Sequence, residues 1–289
     1  MDSALTSVGL PLALGLVMFG LGLSLTVADF TRIARAPKAV AIALVCQIVL
    51  LPLVAFGLVR LFDLPWQLGV GMMLLAASPG GTTASLFSHL FRGDVALNIS
   101  LTAINTVIAV VTLPLITSLA INYYGEEGDV AMPFSEVLKV FVIILVPVGI
   151  GMLVNARAHG WAARMDKTVR IGSAIVLAIL VLGILVAERA NVTKYLGQVG
   201  LITAIFCAIS LLAGYYVPRL LGVGGPQAIA SSMEIGVHNS TLAIVIATSV
   251  LKNTEISVPA AVYSLIMFLF AALWGSWVSK RVSAEPERV

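Results

Sequence analysis

Glu234 and His238 lie four residues apart in the stretch Ser231-Ser232-Met233-Glu234-Ile235-Gly236-Val237-His238-Asn239-Ser240-Thr241. The chain around them is apolar from about residue 227 to 251, roughly the length of one membrane span. Ionisable side chains at that depth cost several kcal/mol, and as a rule they mark transport paths and ion sites. The carboxylate supplies oxygen ligands to a hard cation such as Na+. The imidazole supplies a ligand, a donor or a place for a proton. Gly236 separates the two, and Asn239-Ser240-Thr241 suits the start of a helix. Two arrangements fit these residues. One is a pair of half-helices with an unwound hinge between them. The other is a continuous helix in which Glu234 and His238, at i and i+4, pair inside the bundle.

A second stretch carries the same kind of break. Ser78-Pro79-Gly80-Gly81-Thr82-Thr83-Ala84-Ser85 falls in the middle of an apolar run. Pro79 removes a backbone donor, and the two glycines leave the backbone unconstrained. Thr82 and Thr83 are expected to cap the second half-helix. Interrupted helices in matching positions of two halves point to the site of a secondary transporter. Half-helix N-termini near Thr82 and Asn239 present free N–H groups and a positive dipole end to an anion. Carbonyls freed by unwinding, together with Glu234, attract Na+. An anionic substrate and a coupling cation then offset each other's cost of entry, which is the chemistry of symport.

These residues need a membrane to hold them. The sequence is 60% hydrophobic and 11% charged with a mean hydropathy of +1.06, against about 25% charged in soluble domains. The apolar runs are continuous, which excludes a β-barrel. The fold expected is an all-α polytopic membrane protein. About nine transmembrane helices are counted, at 5–28, 38–61, 67–91, 95–123, 134–155, 169–187, 195–218, 227–251 and 256–279. The two breaks fall in the third and eighth, five spans apart, so they cross the bilayer in opposite directions. That makes inverted repeats, the first lacking one helix. Direct self-similarity is limited to a small-polar theme. No basic segment precedes the first run, and no cleavable signal peptide is expected. Most of the 17 basic residues, among them Arg32, Arg35, Arg92, Arg157, Arg219 and Arg281, fall at one set of ends. The positive-inside rule then places the N-terminus outside and the C-terminus in the cytoplasm. Compactness points to a bacterial inner (plasma) membrane. Residues 283–289 form an expected disordered tail. A net charge of +3 gives no reason for nucleic-acid binding.

Other polar residues are placed by spacing. Gln47 sits in the middle of the second span. Asn98, Thr102 and Asn105 share one face of the fourth, either as interhelical hydrogen bonds or as part of a site. Pro52, Pro114 and Pro147 are read as kinks. Cys46 and Cys207 are read as small hydrophobes. Metal-protease, redox, hydrolase and nucleotide-binding motifs are missing from the sequence, so no enzyme is expected.

Three motifs in order resemble the bile acid:sodium symporter family: Met18-Phe19-Gly20-Leu21-Gly22-Leu23 with Asp29-Phe30; Pro79-Gly80-Gly81-Thr82 with Arg92-Gly93-Asp94-Val95-Ala96-Leu97; and Glu234-Ile235-Gly236-Val237-His238-Asn239-Ser240. The resemblance implies one transporter domain over 1–289. A panel would comprise about 5–28, 134–155 and 169–187, and a core 38–123 and 195–279, moving against each other in alternating access. It implies one cation site from Gln47, Glu234, Ile235, Val237 and His238, the last replacing the family's usual glutamine. A second site would draw on Ser85, Asn98, Thr102 and the same glutamate, with Ala84 and Asn98 departing from the family pattern. One coupling Na+ is therefore expected ahead of two, and no other cofactor. Substrate residues implied or offered by position are Thr82, Thr83, Asn239, Ser240, Asn105 and Ser264. Met267 and Phe268 follow Ser264 and suit a more apolar substrate. The partners expected are Na+, membrane lipid and a small organic anion, bile-acid-like or pantoate-like. Two alternatives stand beside symport: proton coupling through Glu234 and His238, and a non-transporting receptor or sensor for the same ligand. The residues do not fix an oligomeric state.

Overall fold

The computed structural model describes residues 10–125, 134–162 and 192–284, with scattered positions between 164 and 182. Every regular element in these regions is a helix. We label them α1 (Leu10–Ser24), α2 (Val27–Arg32), α3 (Pro37–Leu61), α4 (Trp66–Ala77), α5 (Thr82–Leu90), α6 (Val95–Tyr124), α7 (Phe134–Arg157), α8 (Val192–Leu220), α9 (Gly225–Gly236), α10 (Ser240–Val250) and α11 (Thr254–Ala284). Among the described residues, four helices are each long and apolar enough to cross a membrane: α3, α6, α11 and the Val199–Leu220 part of α8. The bent pair α1–α2 can make a fifth crossing. The chain is thus an all-helical integral membrane protein. Most of the sixth expected span, 169–187, lies outside the described residues.

Two expectations change. The first span is not continuous: α1 and α2 meet at a bend of 66°. The Asp29 carboxylate accepts from both the backbone N–H and the hydroxyl of Thr26, each at 2.7 Å, starting a new helix there. Ser283 and Ala284, placed in the expected tail, continue α11 instead; 285–289 lie outside the described residues.

Small residues set the packing. α1 packs chiefly on α7, where Gly22 meets the Val148 backbone and Gly151 meets Phe19 and Gly22 so closely that either would admit no Cβ. Small side chains at such contacts let membrane helices approach by their backbones. α8 packs on α9 and α11, while α4 lies against α11 and α6. In α3, Pro52 has no N–H to offer the preceding turn. The helix widens instead into a π-turn over Cys46–Leu50, with the Leu51 N–H reaching the Cys46 carbonyl. π-Turns gather at functional sites, and this one carries Gln47. A second covers Ile246–Val250 in α10.

Four described residues have positive φ, and they fall in matching pairs. Asp63 (47°) and Gly222 (78°) follow α3 and α8, and Arg92 (61°) and Lys252 (52°) follow α5 and α10. After Asp63 the Leu64 N–H reaches the Val59 carbonyl (3.2 Å), and after Gly222 the Val223 N–H reaches Pro218 (2.9 Å). Both bonds span five residues, the wide closure of a Schellman turn.

Candidate functional site

The two breaks meet. α4 ends at Ala77 and α5 begins at Thr82, while α9 ends at Gly236 and α10 begins at Ser240. The unwound segments run antiparallel and pair in one bridge between Gly80 and His238. The Gly81 N–H donates to the Val237 carbonyl and the Asn239 N–H to the Pro79 carbonyl, both at 2.8 Å. Backbone groups freed inside a membrane must find partners within the protein, and here the two breaks satisfy each other. The cap of α5 is Gly81, without a side-chain bond, so Thr82 and Thr83 open the first turn instead of capping it. Asn239 caps α10, its Oδ1 accepting from the Leu242 N–H at 3.1 Å.

Glu234 lies at the end of α9, fully buried. Its Oε2 accepts from the Thr102 hydroxyl at 2.6 Å and its Oε1 from the Asn105 amide at 3.1 Å. The Gly80 N–H donates to the same carboxylate. These partners are all uncharged. A Cβ on Gly80 would overlap the carboxylate, so glycine is what lets the backbone come this close. The continuous-helix arrangement, with Glu234 bonded to His238, is not what forms. The chain unwinds at Val237, and the two side chains take separate partners.

His238 is also buried, and its Nδ1 lies 3.0 Å from the Ser78 carbonyl. A carbonyl can only accept, so Nδ1 carries the proton. Gln47 Nε2 donates to the same carbonyl at 3.0 Å and to Ala76 at 3.3 Å. The imidazole stacks on Phe206 (5.7 Å) and meets Tyr263 edge to face (5.4 Å). The Tyr263 hydroxyl holds the Gly236 carbonyl at 2.8 Å.

Several buried acceptors around this crossing find no partner among the described residues: Gln47 Oε1, Asn98 Oδ1, Asn105 Oδ1 and His238 Nε2. The three amide nitrogens donate elsewhere, that of Asn98 to the Ala230 carbonyl at 2.9 Å. A narrow cleft of about 10 Å³ beside Pro79, roughly the room of one water, is lined by Gln47, Ala77, Asn105 and Thr112 among others.

The expected site residues thus divide. Gln47, Asn98, Thr102, Asn105, Glu234 and His238 surround the crossing. Ile235 is buried there, and the Val237 carbonyl is occupied by the bridge. Ser240 opens α10 and donates weakly to the Met267 sulfur at 3.9 Å. Phe268 stacks on Phe87, 6.0 Å between centroids. Thr83 and Ser85 are half-buried on α5, with Ser85 already partnered. Ser264 is buried, and its hydroxyl turns back to the Ala261 carbonyl at 2.7 Å. Sequence reasoning missed Ser78, Phe206 and Tyr263, and missed Gly80 as a donor. Ser78 and Gly80 act through their backbones, which residue type does not advertise; Phe206 and Tyr263 are aromatics in apolar helices, where packing explains them equally well.

The profile of the Sodium Bile acid symporter family matches residues 11–195. An uncharacterized sodium-dependent transporter of Bacillus subtilis is 29% identical over 269 residues, covering 93% of this chain and 82% of that protein. The human ileal sodium/bile acid cotransporter is 28% identical over 281 residues, 94% of this chain and 79% of that one. A probable chloroplastic sodium/metabolite cotransporter of Arabidopsis thaliana is 28% identical over 269 residues, 90% and 65% respectively. Each likeness leaves too little of this chain uncovered to omit either broken helix. With the profile matched over most of its length, the chain belongs to the sodium bile acid symporter family, a family of transporters and not of enzymes.

Proposed function

We propose that the protein is a secondary active transporter coupling Na+ entry to uptake of a small organic anion, bile-acid-like or pantoate-like, by alternating access. The observation that carries this is the Glu234 carboxylate: fully buried where two broken helices cross, and met there by neutral donors. Amide oxygens without protein partners among the described residues surround the same crossing. A buried charge that lacks an opposite charge is costly, and a hard cation bound by Glu234, Thr102 and the amide oxygens of Asn98 and Asn105 removes that cost. We place one Na+ there. Gln47, Ile235, Val237, His238 and Ser85 complete the candidate set, with His238 tied to the Ser78 carbonyl. The substrate anion sits at the N-termini of α5 and α10, near Thr82, Thr83, Asn239 and Ser240. Asn105 and Ser264 are its remaining candidates.

The architecture we propose has nine spans in a bacterial inner membrane, N-terminus outside. The matching left-handed turns after α3 and α8, and after α5 and α10, support two inverted repeats. So does the antiparallel bridge between the breaks. The tight α1–α7 pair belongs to the panel, with 169–187, and moves against α3–α6 and α8–α11.

Uptake of labelled taurocholate and pantoate into proteoliposomes tests this. Accumulation of either under an inward Na+ gradient, lost in Glu234→Gln, supports the reading. Binding of both without accumulation would make the protein a receptor. His238 Nε2, without a partner among the described residues, favours one second reading, proton coupling, in which an inward H+ gradient would drive uptake without Na+.

A further inference from the structure

Between α8 and α11, a groove of about 350 Å³ is lined by Ala208, Leu211, Leu212, Phe270, Leu273 and Trp277 among others. The lining is apolar, and in a membrane-spanning chain such a groove at a helix seam faces the bilayer. An aromatic ladder runs along it. Trp274 meets Tyr215 at 5.8 Å and Trp277 at 5.1 Å. The ladder ends on charge, with the Arg281 guanidinium 3.8 Å over the Trp277 ring. Tryptophans of this kind collect at the headgroup level of a bilayer. A guanidinium stacked on an aromatic face keeps its N–H edge for bidentate binding of a phosphate.

We propose that this groove is a binding site for one anionic phospholipid, an acyl chain lying between α8 and α11 and the headgroup phosphate on Arg281. Charge decides between occupants. A second copy of the chain would enter the same membrane in the same orientation and bring its own Arg281 to the same level, so like charges would meet. An anionic headgroup complements that end. The site also bears on the broken helix. Trp274 Nε1 donates to the Ser232 hydroxyl (2.9 Å), which donates to the Leu211 carbonyl (2.7 Å). The Leu211 side chain packs against Gly236, so tightly that a Cβ there would overlap it. A chain in the groove therefore braces α9 two residues from Glu234.

The test uses the full-length protein in detergent. Native mass spectrometry counts retained lipid, and melting is titrated with phosphatidylglycerol, phosphatidylcholine or inorganic phosphate. Phosphatidylglycerol should bind and stabilise at about fivefold lower concentration than phosphatidylcholine, the worth of one basic residue near a membrane surface. Arg281→Gln, at an exposed position, should erase that preference and leave the lipid-free melt unchanged. Leu212→Trp, which narrows the groove, should weaken both lipids. Equal effects of the two lipids on the wild type would overturn the proposal. So would a preference that survives Arg281→Gln, or a melt raised by inorganic phosphate alone.

Discussion

Glu234 is held by three donors, none of them charged, and each fixes where the carboxylate points. The spacing of Thr102 and Asn105 on α6 is legible in the sequence, because residues three and four apart share a helix face. What that face meets is not legible, since it depends on which helix crosses it 129 to 132 residues later. Thr102→Val and Asn105→Ala each remove one hydrogen bond to a charged group, worth about 1.5–3 kcal/mol. Each should weaken Na+ binding about tenfold or more, measured by calorimetric titration of purified protein. Unchanged affinity in both would move the cation away from α6. Gly80 is the backbone counterpart. Its role as a donor cannot be read from the side chains, although the Pro-Gly-Gly break can. Gly80→Ala places a methyl group on the carboxylate. It should lower stability by about 1–3 kcal/mol and abolish Na+-dependent stabilisation. An alanine variant that melts like wild type in Na+ would contradict the close approach.

At the scale of elements, residue types mark the Pro-Gly-Gly break in one span, while a glycine and an Asn-Ser-Thr cap sequence in the other leave a hinge and a continuous helix both open. They do not reveal the direct backbone pairing, because antiparallel bridging of two unwound segments is a tertiary event. The π-turn at Gln47 is legible only as a proline kink at Pro52. The bend between α1 and α2 escapes notice because apolar length dominates the reading of a span, while its cause is one local carboxylate, Asp29, bonded to Thr26. The cap of α10 makes a prediction at this scale. Asn239→Ala loses the bond to the Leu242 N–H, a cap worth about 0.5–2 kcal/mol. Because that helix start also serves the anion in the proposed mechanism, the variant should raise the substrate concentration for half-maximal uptake more than the Na+ concentration. An equal rise in both would reduce Asn239 to a cap alone.

Across the whole molecule, hydropathy is enough to assign a helical membrane protein, since no soluble fold is consistent with a mean hydropathy of +1.06. The division into moving parts that we propose is harder to see. It rests on small residues that bind α1 to α7 and on turns that echo each other after α3 and α8. These are features of packing and backbone angle that composition does not carry. In the proposed mechanism cavity shape sets substrate choice, and Met267 lies on Ser240 and Phe268 on Phe87. The central claim is that the neutral cage around Glu234 is a Na+ site. The most direct measurement is the melting temperature of purified protein as NaCl replaces KCl at constant ionic strength, for wild type and Glu234→Gln. A ligand that binds only the folded state at about 100 times its Kd stabilises it by about 2.7 kcal/mol. Na+ should therefore raise the wild-type melt by several degrees over K+, and the variant should show no difference between the two salts. Identical melts in Na+ and K+ for the wild type, or a Na+ shift that persists in Glu234→Gln, would contradict the account.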